Sequence, residues 1–174
     1  TTAAGSNIIL DQSGNAFTST VIMQAGDGSA AFGNITFVDS AAVRLHTSAQ
    51  SAGDLYINAT TDGAVDGNLS VTANGDITQT VALAVTGTTT LVAGGNDITL
   101  DTSTNNFATV VITSGRNVAL RDAGAIILGA STVSGTYSVT AGGHITDSGT
   151  QEITGVTTLV AGGNDITLDT STNN

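Results

Sequence analysis

The chain has 174 residues and a formal net charge of −11 at pH 7, with 14 acidic residues against three arginines and no Lys, Pro, Cys or Trp. Nucleic acid and anionic membranes need clustered Lys and Arg, so this balance argues against both as partners, and the lack of Cys excludes disulfides and thiolate metal sites. A hydrophobic share of 40% lies outside the range of disordered chains. Because the chain has no 18-residue apolar run and no signal-peptide pattern at its start, membrane insertion is not expected.

The part of the chain before Val71 contains degenerate copies of a short phrase. NIILDQSGNAF at Asn7–Phe17 echoes NDITLDTSTNNF at Asn96–Phe107, and QSAGDLYI at Gln50–Ile57 has the same rhythm. Apolar and β-branched residues in these phrases are separated by Gly, Asn and Ser, which favour turns. The pattern predicts short strands.

The phrase becomes regular from Val71 onward. VTANGDIT at Val71–Thr78 is followed by LVAGGNDIT at Leu91–Thr99, with their Ala residues 20 positions apart. In DITLD, Ile98 and Leu100 alternate with polar residues, the period of two expected for a strand with one buried face. Helix formers at a spacing of 3.6 are absent.

The last 34 residues of the chain repeat an earlier stretch. VITSGRNVAL at Val111–Leu120 supplies an intervening unit, after which Ala141–Asn174 aligns on Ala73–Asn106 without a gap, 68 positions further on. Eighteen residues, TTLVAGGNDITLDTSTNN, are identical at Thr89–Asn106 and Thr157–Asn174. Both ends of the chain fall within such units, so we expect it to be a segment of a longer array, with any targeting signal outside it.

A unit of about 20 residues with some three short strands buries its apolar face only by stacking on its neighbours. We therefore predict one all-β domain over residues 1–174, a parallel β-solenoid and specifically a right-handed β-helix, with 20–21 residues per rung and roughly eight rungs. A β-sandwich, the alternative, gives no reason for a gapless 68-residue period. The narrow core should hold small side chains, and we expect the aromatic residues at turns or edges: Phe17, Phe32, Phe37 and Phe107.

These phrases resemble the repeat region of filamentous-haemagglutinin-like exoproteins, large bacterial surface adhesins of the two-partner-secretion type. The resemblance is carried by TTLVAGGNDITLD, VITSGRNVAL and GTYSVTAGGHITDSGTQEITG. It implies a long β-helical shaft exposed on the cell surface. The amino-terminal secretion domain of that family is not recognisable in this sequence.

A carbohydrate-active β-helix, such as a polysaccharide lyase or hydrolase or a tailspike-like protein, is the alternative. Glycoside hydrolysis normally uses two carboxylates about 5 to 10 Å apart. Asp97 and Asp101 form the best pair, but they recur as Asp165 and Asp169, whereas an active site is usually unique in a chain. We interpret them as a solvated outer face.

Ligand binding by a solenoid is the third hypothesis. His46 and His144 have no convincing partners for a metal site, and AGDGSA at Ala25–Ala30 is a single partial match to calcium-binding repeats. Threonines at Thr88–Thr90 and Thr157–Thr158 would form an ice-binding array only if the rungs between them kept one register.

The sequence therefore assigns no catalytic, cofactor-binding or metal-binding residue and requires no cofactor. It favours a non-enzymatic shaft or filament segment of a secreted adhesin or fibre, extracellular and at the bacterial cell surface. We expect its end rungs to associate with another copy or to continue into the same chain. Contacts with host or surface glycans or proteins would be made by other regions.

Overall fold

The computed structural model describes residues 7–17, 21–24, 33–46, 54–58, 64–170 and 172–174, and this part contains strands, turns and bends but no helix. The all-β class is confirmed. Its eighteen strands are β1 (Ile8–Leu10), β2 (Val21–Gln24), β3 (Ile35–Asp39), β4 (Val43–His46), β5 (Asp54–Asn58), β6 (Ala64–Val65), β7 (Leu69–Ala73), β8 (Ile77–Gln79), β9 (Ala84–Val92), β10 (Ile98–Leu100), β11 (Asn106–Gly115), β12 (Val118–Asp122), β13 (Ile126–Val133), β14 (Tyr137–Ala141), β15 (Ile145–Asp147), β16 (Gln151–Ile153), β17 (Thr157–Val160) and β18 (Ile166–Thr167).

The strands form two sheets in which all neighbours are parallel. A ten-stranded sheet has the order β1-β3-β7-β9-β11-β13-β15-β18, with β6 beside β9 and β16 beside β13. An eight-stranded sheet has the order β17-β14-β12-β10-β8-β4-β5-β2. From β7 to β14 the chain alternates between the two sheets, so each turn stacks on the one before. The predicted parallel β-solenoid is confirmed.

Between β7 and β18 the solenoid makes about five turns. In the ten-stranded sheet the register runs from Leu69 to Thr89, Val110 and Leu128. By these residue numbers the successive turns advance the chain by 20, 21 and 18 positions, close to the predicted length of a rung.

The number of turns differs slightly from the predicted eight rungs, because the first two turns are longer than the later ones. Ile8 pairs with Ile35, 27 positions further on, and Ile35 pairs with Leu69 after another 34. Within the longer turn, β5 pairs with β4 at a separation of only ten positions, Arg44 with Asp54, and it also pairs with β2. Residues counted as further rungs therefore form an inserted strand and lengthen a turn.

The last complete turn has three separate strands, β15, β16 and β17, as expected for a unit with three short strands. In the preceding turns the first two segments are merged into one long strand, β9, β11 or β13. β13 shows the equivalence, because its residues Ile126–Leu128 pair with β15 and its residues Ser131–Val133 pair with β16.

The core is a narrow column of apolar side chains between the sheets. In β7, Leu69, Val71 and Ala73 are buried while the two residues between them are partly exposed. β14 has the same alternation. Fully burying a Leu or Val side chain contributes about 1.5–3 kcal/mol, and each turn supplies several such residues. The predicted period of two is confirmed.

The aromatic residues lie deeper than expected. Phe37, Phe107 and Tyr137 are buried in the core, and the ring of the partly buried Phe17 stacks on Phe37 with 5.3 Å between ring centroids. The prediction of turn or edge positions is therefore wrong for Phe37 and Phe107, because the core of a turn accommodates one large ring. Phe32 lies outside the described residues.

The 68-residue repeat is not a whole number of turns. In the eight-stranded sheet the register runs from Ile77 to Ile98, Val118 and Tyr137, three turns that advance the chain by only 60 positions. The extra eight positions move the repeated phrase on by one strand. TTLV consequently lies in β9 of the ten-stranded sheet in the first copy, and in β17 of the eight-stranded sheet in the second.

Candidate functional site

Polar side chains at one corner of the solenoid form a column from turn to turn. An oxygen of Asp76 accepts the backbone N–H of Asp97 at 2.9 Å, Asp97 accepts that of Asn117 at 3.1 Å, and Asn117 accepts that of Thr136 at 3.1 Å. Each side chain satisfies a backbone donor on the following turn. Such donors are costly to leave unpaired where water is excluded.

Asp97 and Arg116 form a bidentate ion pair within this column. The guanidinium Nε and Nη2 donate to the two carboxylate oxygens at 2.8 Å each. The hydrogen bond from Arg116 is the main reason that the pKa of Asp97 is lowered to about 2, and the pair also raises the pKa of Arg116. Water reaches both groups and screens their attraction, so the pair positions the corner more than it stabilises the fold.

The predicted outward position of Asp97 and Asp101 is confirmed, since Asp101 is exposed and Asp97 partly so. A general acid needs a raised pKa, and Asp97 is instead kept ionised by its cation. In the second copy, Asp165 and Asp169 are exposed.

An asparagine column, which the sequence analysis missed, runs along another corner. Oδ1 of Asn7 accepts the N–H of Asn34 at 2.8 Å, Oδ1 of Asn34 accepts that of Asn68 at 2.7 Å, and Oδ1 of Asn68 accepts that of Thr88 at 2.7 Å. The signal was an Asn directly before each strand, in NII, NIT and NLS. These asparagines are structural groups that connect successive turns.

Two buried aspartates form a third kind of connection that the sequence analysis missed. Oδ2 of Asp122 accepts the N–H of Phe107 at 2.6 Å and its Oδ1 accepts that of Gly124 at 2.7 Å. Asp39 accepts the N–H of Phe17 in the same way, at 3.3 Å. Burial raises the pKa of Asp122, although both hydrogen bonds oppose the shift.

Asn105 connects three turns from inside the core. Its Oδ1 accepts hydrogen bonds from Leu83 N–H at 2.9 Å and Gln79 Nε2 at 2.8 Å, and its Nδ2 donates to the Arg121 carbonyl at 3.0 Å. Asn173, its counterpart in the second copy, accepts the N–H of Gln151 at 2.9 Å. The repeat thus keeps this connection although Leu83 is replaced by Gln151.

Asp147 receives hydrogen bonds from residues near the end of the chain. Burial works against ionisation, but hydrogen bonds from Asn173, Thr170 and Asp169 outweigh it and lower the pKa of Asp147. Nδ2 of Asn173 donates to it at 2.7 Å. This carboxylate therefore holds the end of the chain against the preceding turn.

His144, one of the two histidines considered for a metal site, lies at a corner of the solenoid directly before β15. His144 is exposed, its Nδ1 accepts the N–H of Asp165 at 3.1 Å, and it thereby takes the role of Asp76 in the first copy. Within the described ranges, no group of three His or acidic residues could hold a metal ion. The His46 side chain and the AGDGSA segment lie outside the residues described.

The threonine rows do not form one array. Thr88 and Thr90 are in β9, Thr157 and Thr158 are in β17 of the other sheet, and Thr89 points into the core. On the outer face, an aligned row of Thr36, Ser70 and Thr90 ends at Val111 on the next turn. The condition for an extended ice-binding row is not met.

The last turn carries an apolar surface and an opening into the core. Val156, Val160, Ile166 and Leu168 are large exposed apolar residues there. A cavity of about 270 Å³ beside them is lined by Leu128, Tyr137, Gln151, Ile153, Thr157, Leu159, Leu168, Asn173 and Asn174.

Two buried polar atoms of this cavity, the Tyr137 hydroxyl and the Gln151 Oε1, have no hydrogen-bond partner within the described structure. Burial raises the pKa of Tyr137 to about 12, and the nearby Ser131 hydroxyl offsets only part of that shift. The Ser131 hydroxyl itself donates to the Gly129 carbonyl at 3.1 Å.

Comparison with known protein families identifies a family of repeats that matches most of the chain. Residues 52–114 and 115–174 each match a family described as repeats of unknown function, DUF5649, and the chain belongs to this family. No curated protein and no solved structure matches the chain. No helix in the described part is long and apolar enough to cross a membrane.

Proposed function

We propose that this chain is a non-enzymatic structural segment, a length of shaft or filament in a secreted bacterial surface adhesin or fibre. The observation that carries the proposal is the continuity of the two parallel sheets from the first described turn to the last. Backbone ladders that run from turn to turn join the whole length mechanically. Membership of a repeat family is consistent with a part whose length is set by the number of repeats.

The polar columns support the same proposal. The outward groups Asp97, Asn117 and Asn68 each accept a backbone hydrogen bond from the following turn. Each such bond adds to the ladder at a corner, where the backbone pairing of the strands is interrupted. The net charge of −11 keeps the sides of such rods apart.

The proposal places the chain outside the cell, at the bacterial surface, with its role in spacing and load bearing. Contacts with host or surface glycans and proteins would then be made elsewhere, and the sides of this segment would be inert.

Single-molecule force spectroscopy tests the proposal, with the chain held between two globular marker domains. Turns should detach one at a time from an end, and each turn of about 20 residues should release roughly 70 Å of extended chain. Extension without resistance, like that of a disordered linker, would contradict a load-bearing role. Release of reducing sugar from surface polysaccharides by the purified chain would contradict a non-enzymatic one.

A further inference from the structure

Two identical phrases, Thr89–Asn106 and Thr157–Asn174, have different surroundings. Ile98 and Leu100 are 0% exposed, whereas their counterparts Ile166 and Leu168 are 44% and 37% exposed. The first phrase is covered by β11 and β12, while β17 and β18 each pair with one strand only in the described part of the chain.

The turn that covers the first phrase makes specific polar contacts. The Ala93 N–H donates to the Ser114 carbonyl at 2.9 Å, and the Ile98 N–H donates to the Asn117 carbonyl at 2.9 Å. In the opposite direction, the Arg116 N–H donates to a carbonyl of the phrase at 2.8 Å, and its guanidinium pairs with Asp97. The phrase and its cover are therefore complementary along both strands and at the corner.

The second phrase presents the same groups in the same arrangement. In the first copy TTLV pairs with LSVT, and in the second copy it pairs with YSVT; the partner lies 20 positions earlier in both cases. The dipeptide IT pairs in both copies with the IT that lies 21 positions earlier. The counterparts of the bonded groups are the N–H of Ala161, the N–H of Ile166 and the carboxylate of Asp165, which lies 3.7 Å from Nδ1 of His144. The Asp165 side chain is 87% exposed, against 32% for Asp97 beneath its arginine.

The interior of the last turn also matches a cover of this kind. In the first copy, Val110, Ile112 and Leu120 of the covering turn are buried beside Thr89, Leu91 and Leu100. In the second copy, Thr157, Leu159 and Leu168, the counterparts of Thr89, Leu91 and Leu100, line the 270 Å³ cavity. Inward side chains of one more turn would occupy that cavity.

We propose that the surface formed by residues 157–170 binds one further solenoid turn of the sequence type FATVVITSGRNVALRDA, found here at residues 107–123, from another repeat of the same family. Asp165 is the residue that selects this turn, through an arginine placed like Arg116. The proposal rests on the proposed structural function and names the partner of its end surface.

A second copy of this chain, stacked by its own first turn, is the competing occupant. The described part of that turn, residues 7–17, contains no Arg, so it offers Asp165 no counterpart of Arg116. Charge complementarity therefore favours the arginine-bearing turn.

The experiment appends residues FATVVITSGRNVALRDA directly after Asn174, because Asn106 is followed by the same residues, and measures amide hydrogen exchange in the full chain. Protection of the Ile166 and Ala161 amides should rise about tenfold or more, as expected for newly formed and covered backbone hydrogen bonds. Replacing the appended counterpart of Arg116 by Glu should reduce that protection about two- to fivefold, since exposed ion pairs contribute little more. Asp165→Arg, which alters an exposed side chain, should restore the protection of these amides in the extended chain that carries Glu in place of that arginine.

Unchanged exchange at Ile166 after the extension would overturn the proposal. Equal protection by a scrambled extension of the same composition would show that the surface does not select this sequence, and would overturn that part of the proposal. Concentration-dependent protection of Ile166 in the chain without the extension would show a second copy as the occupant and overturn the choice of partner. Each of these outcomes is compatible with stepwise release of turns under force, so a failure here is distinct from a failure of the proposed structural function.

Discussion

Asp122 and Phe107 are connected by a hydrogen bond of 2.6 Å, from the backbone N–H at the start of β11 to the buried carboxylate at the end of β12. The second carboxylate oxygen accepts the N–H of Gly124 at 2.7 Å. One side chain thus fixes the positions of two strand ends and of the turn that follows them. Asp39 accepts the corresponding N–H groups of Phe17 and Ala41, both on Oδ1, so a related connection occurs at a second turn.

Asp122→Asn should destabilise the chain by about 1–3 kcal/mol at pH 7, because the amide retains one acceptor oxygen and leaves the other N–H donor unsatisfied. The measurement is the urea midpoint at constant m-value. Asp101→Asn is the matched control on an exposed side chain, with an expected change below about 0.5 kcal/mol. Equal effects of the two substitutions would show that the Asp122 hydrogen bonds contribute little.

The pH dependence of stability in the wild type and in Asp122→Asn gives a second check on Asp122. Its pKa is raised in the folded state, so the folded protein binds this proton more tightly than the unfolded chain. The associated stability is fully present below the usual carboxyl pKa of 3.8 and is lost as the pH rises through the raised value. The advantage of the wild type over Asp122→Asn should therefore be larger at pH 3 than at pH 7.

Asp97→Asn should show the opposite pH dependence. The pKa of Asp97 is lowered to about 2 by Arg116, so its contribution is present above pH 3.8 and is lost as the pH falls towards 2. We expect a loss of about 0.2–1 kcal/mol at pH 7, and a smaller loss both in about 1 M salt and near pH 2, where about half of the Asp97 carboxyls are protonated. Urea unfolding under these three conditions measures the loss, and a loss as large at pH 2 as at pH 7 would contradict the ion-pair explanation.

The sequence was sufficient for the class of fold because the strand pattern and the turn residues are local signals. The alternation of Ile98 and Leu100 with polar neighbours predicted which side chains face the core, and the structure confirms it. The number of turns could not be derived in the same way. It depends on the pairing of β5 with β4 and β2, a long-range choice that no local pattern in residues 33–65 encodes.

The polar connections were predictable only in part. The outward position of Asp97 follows from its strand, but its pairing with Arg116 needs the register of the next turn. Asp122 and Asn105 were missed because buried polar residues run against the expectation of an apolar interior. The sequence also did not show that the two copies of TTLV lie in different sheets, because this depends on the 68-residue period exceeding three turns by one strand.

Gly87 tests the close approach of successive turns in the asparagine column. A Cβ there would overlap the Asn68 Oδ1 and lie 2.6 Å from the Gly67 carbonyl oxygen. Gly87→Ala should therefore cost about 1–3 kcal/mol, by the overpacking of a rigid backbone contact. Gly95→Ala is the control, because a Cβ at Gly95 meets nothing within 4 Å, and this variant should be neutral or slightly more stable by thermal unfolding.

Asn105 and Asn173 are the same residue of the repeat in two environments. Asn105 is fully buried and bonds to Gln79, Leu83 and Arg121, whereas Asn173 is partly exposed. Asn105→Ala should cost about 2–4 kcal/mol, through at least two buried groups left without partners, and Asn173→Ala about 1 kcal/mol. A reversed order of the two urea midpoints would show that Asn105 is not the stronger connection.

Leu100 and Leu168 provide the same comparison for the apolar interior. Leu100→Ala removes a fully buried side chain between two turns and should cost about 2–5 kcal/mol, because the neighbouring strands cannot close the cavity. Leu168→Ala changes a side chain that the following turn does not cover, and its cost should stay below about 1 kcal/mol. Urea unfolding of both variants under the same conditions measures the difference. The two leucines lie in identical local sequence, and the covering turn is the main difference that bears on their exposure. Equal costs would mean that Leu168 is already covered in solution.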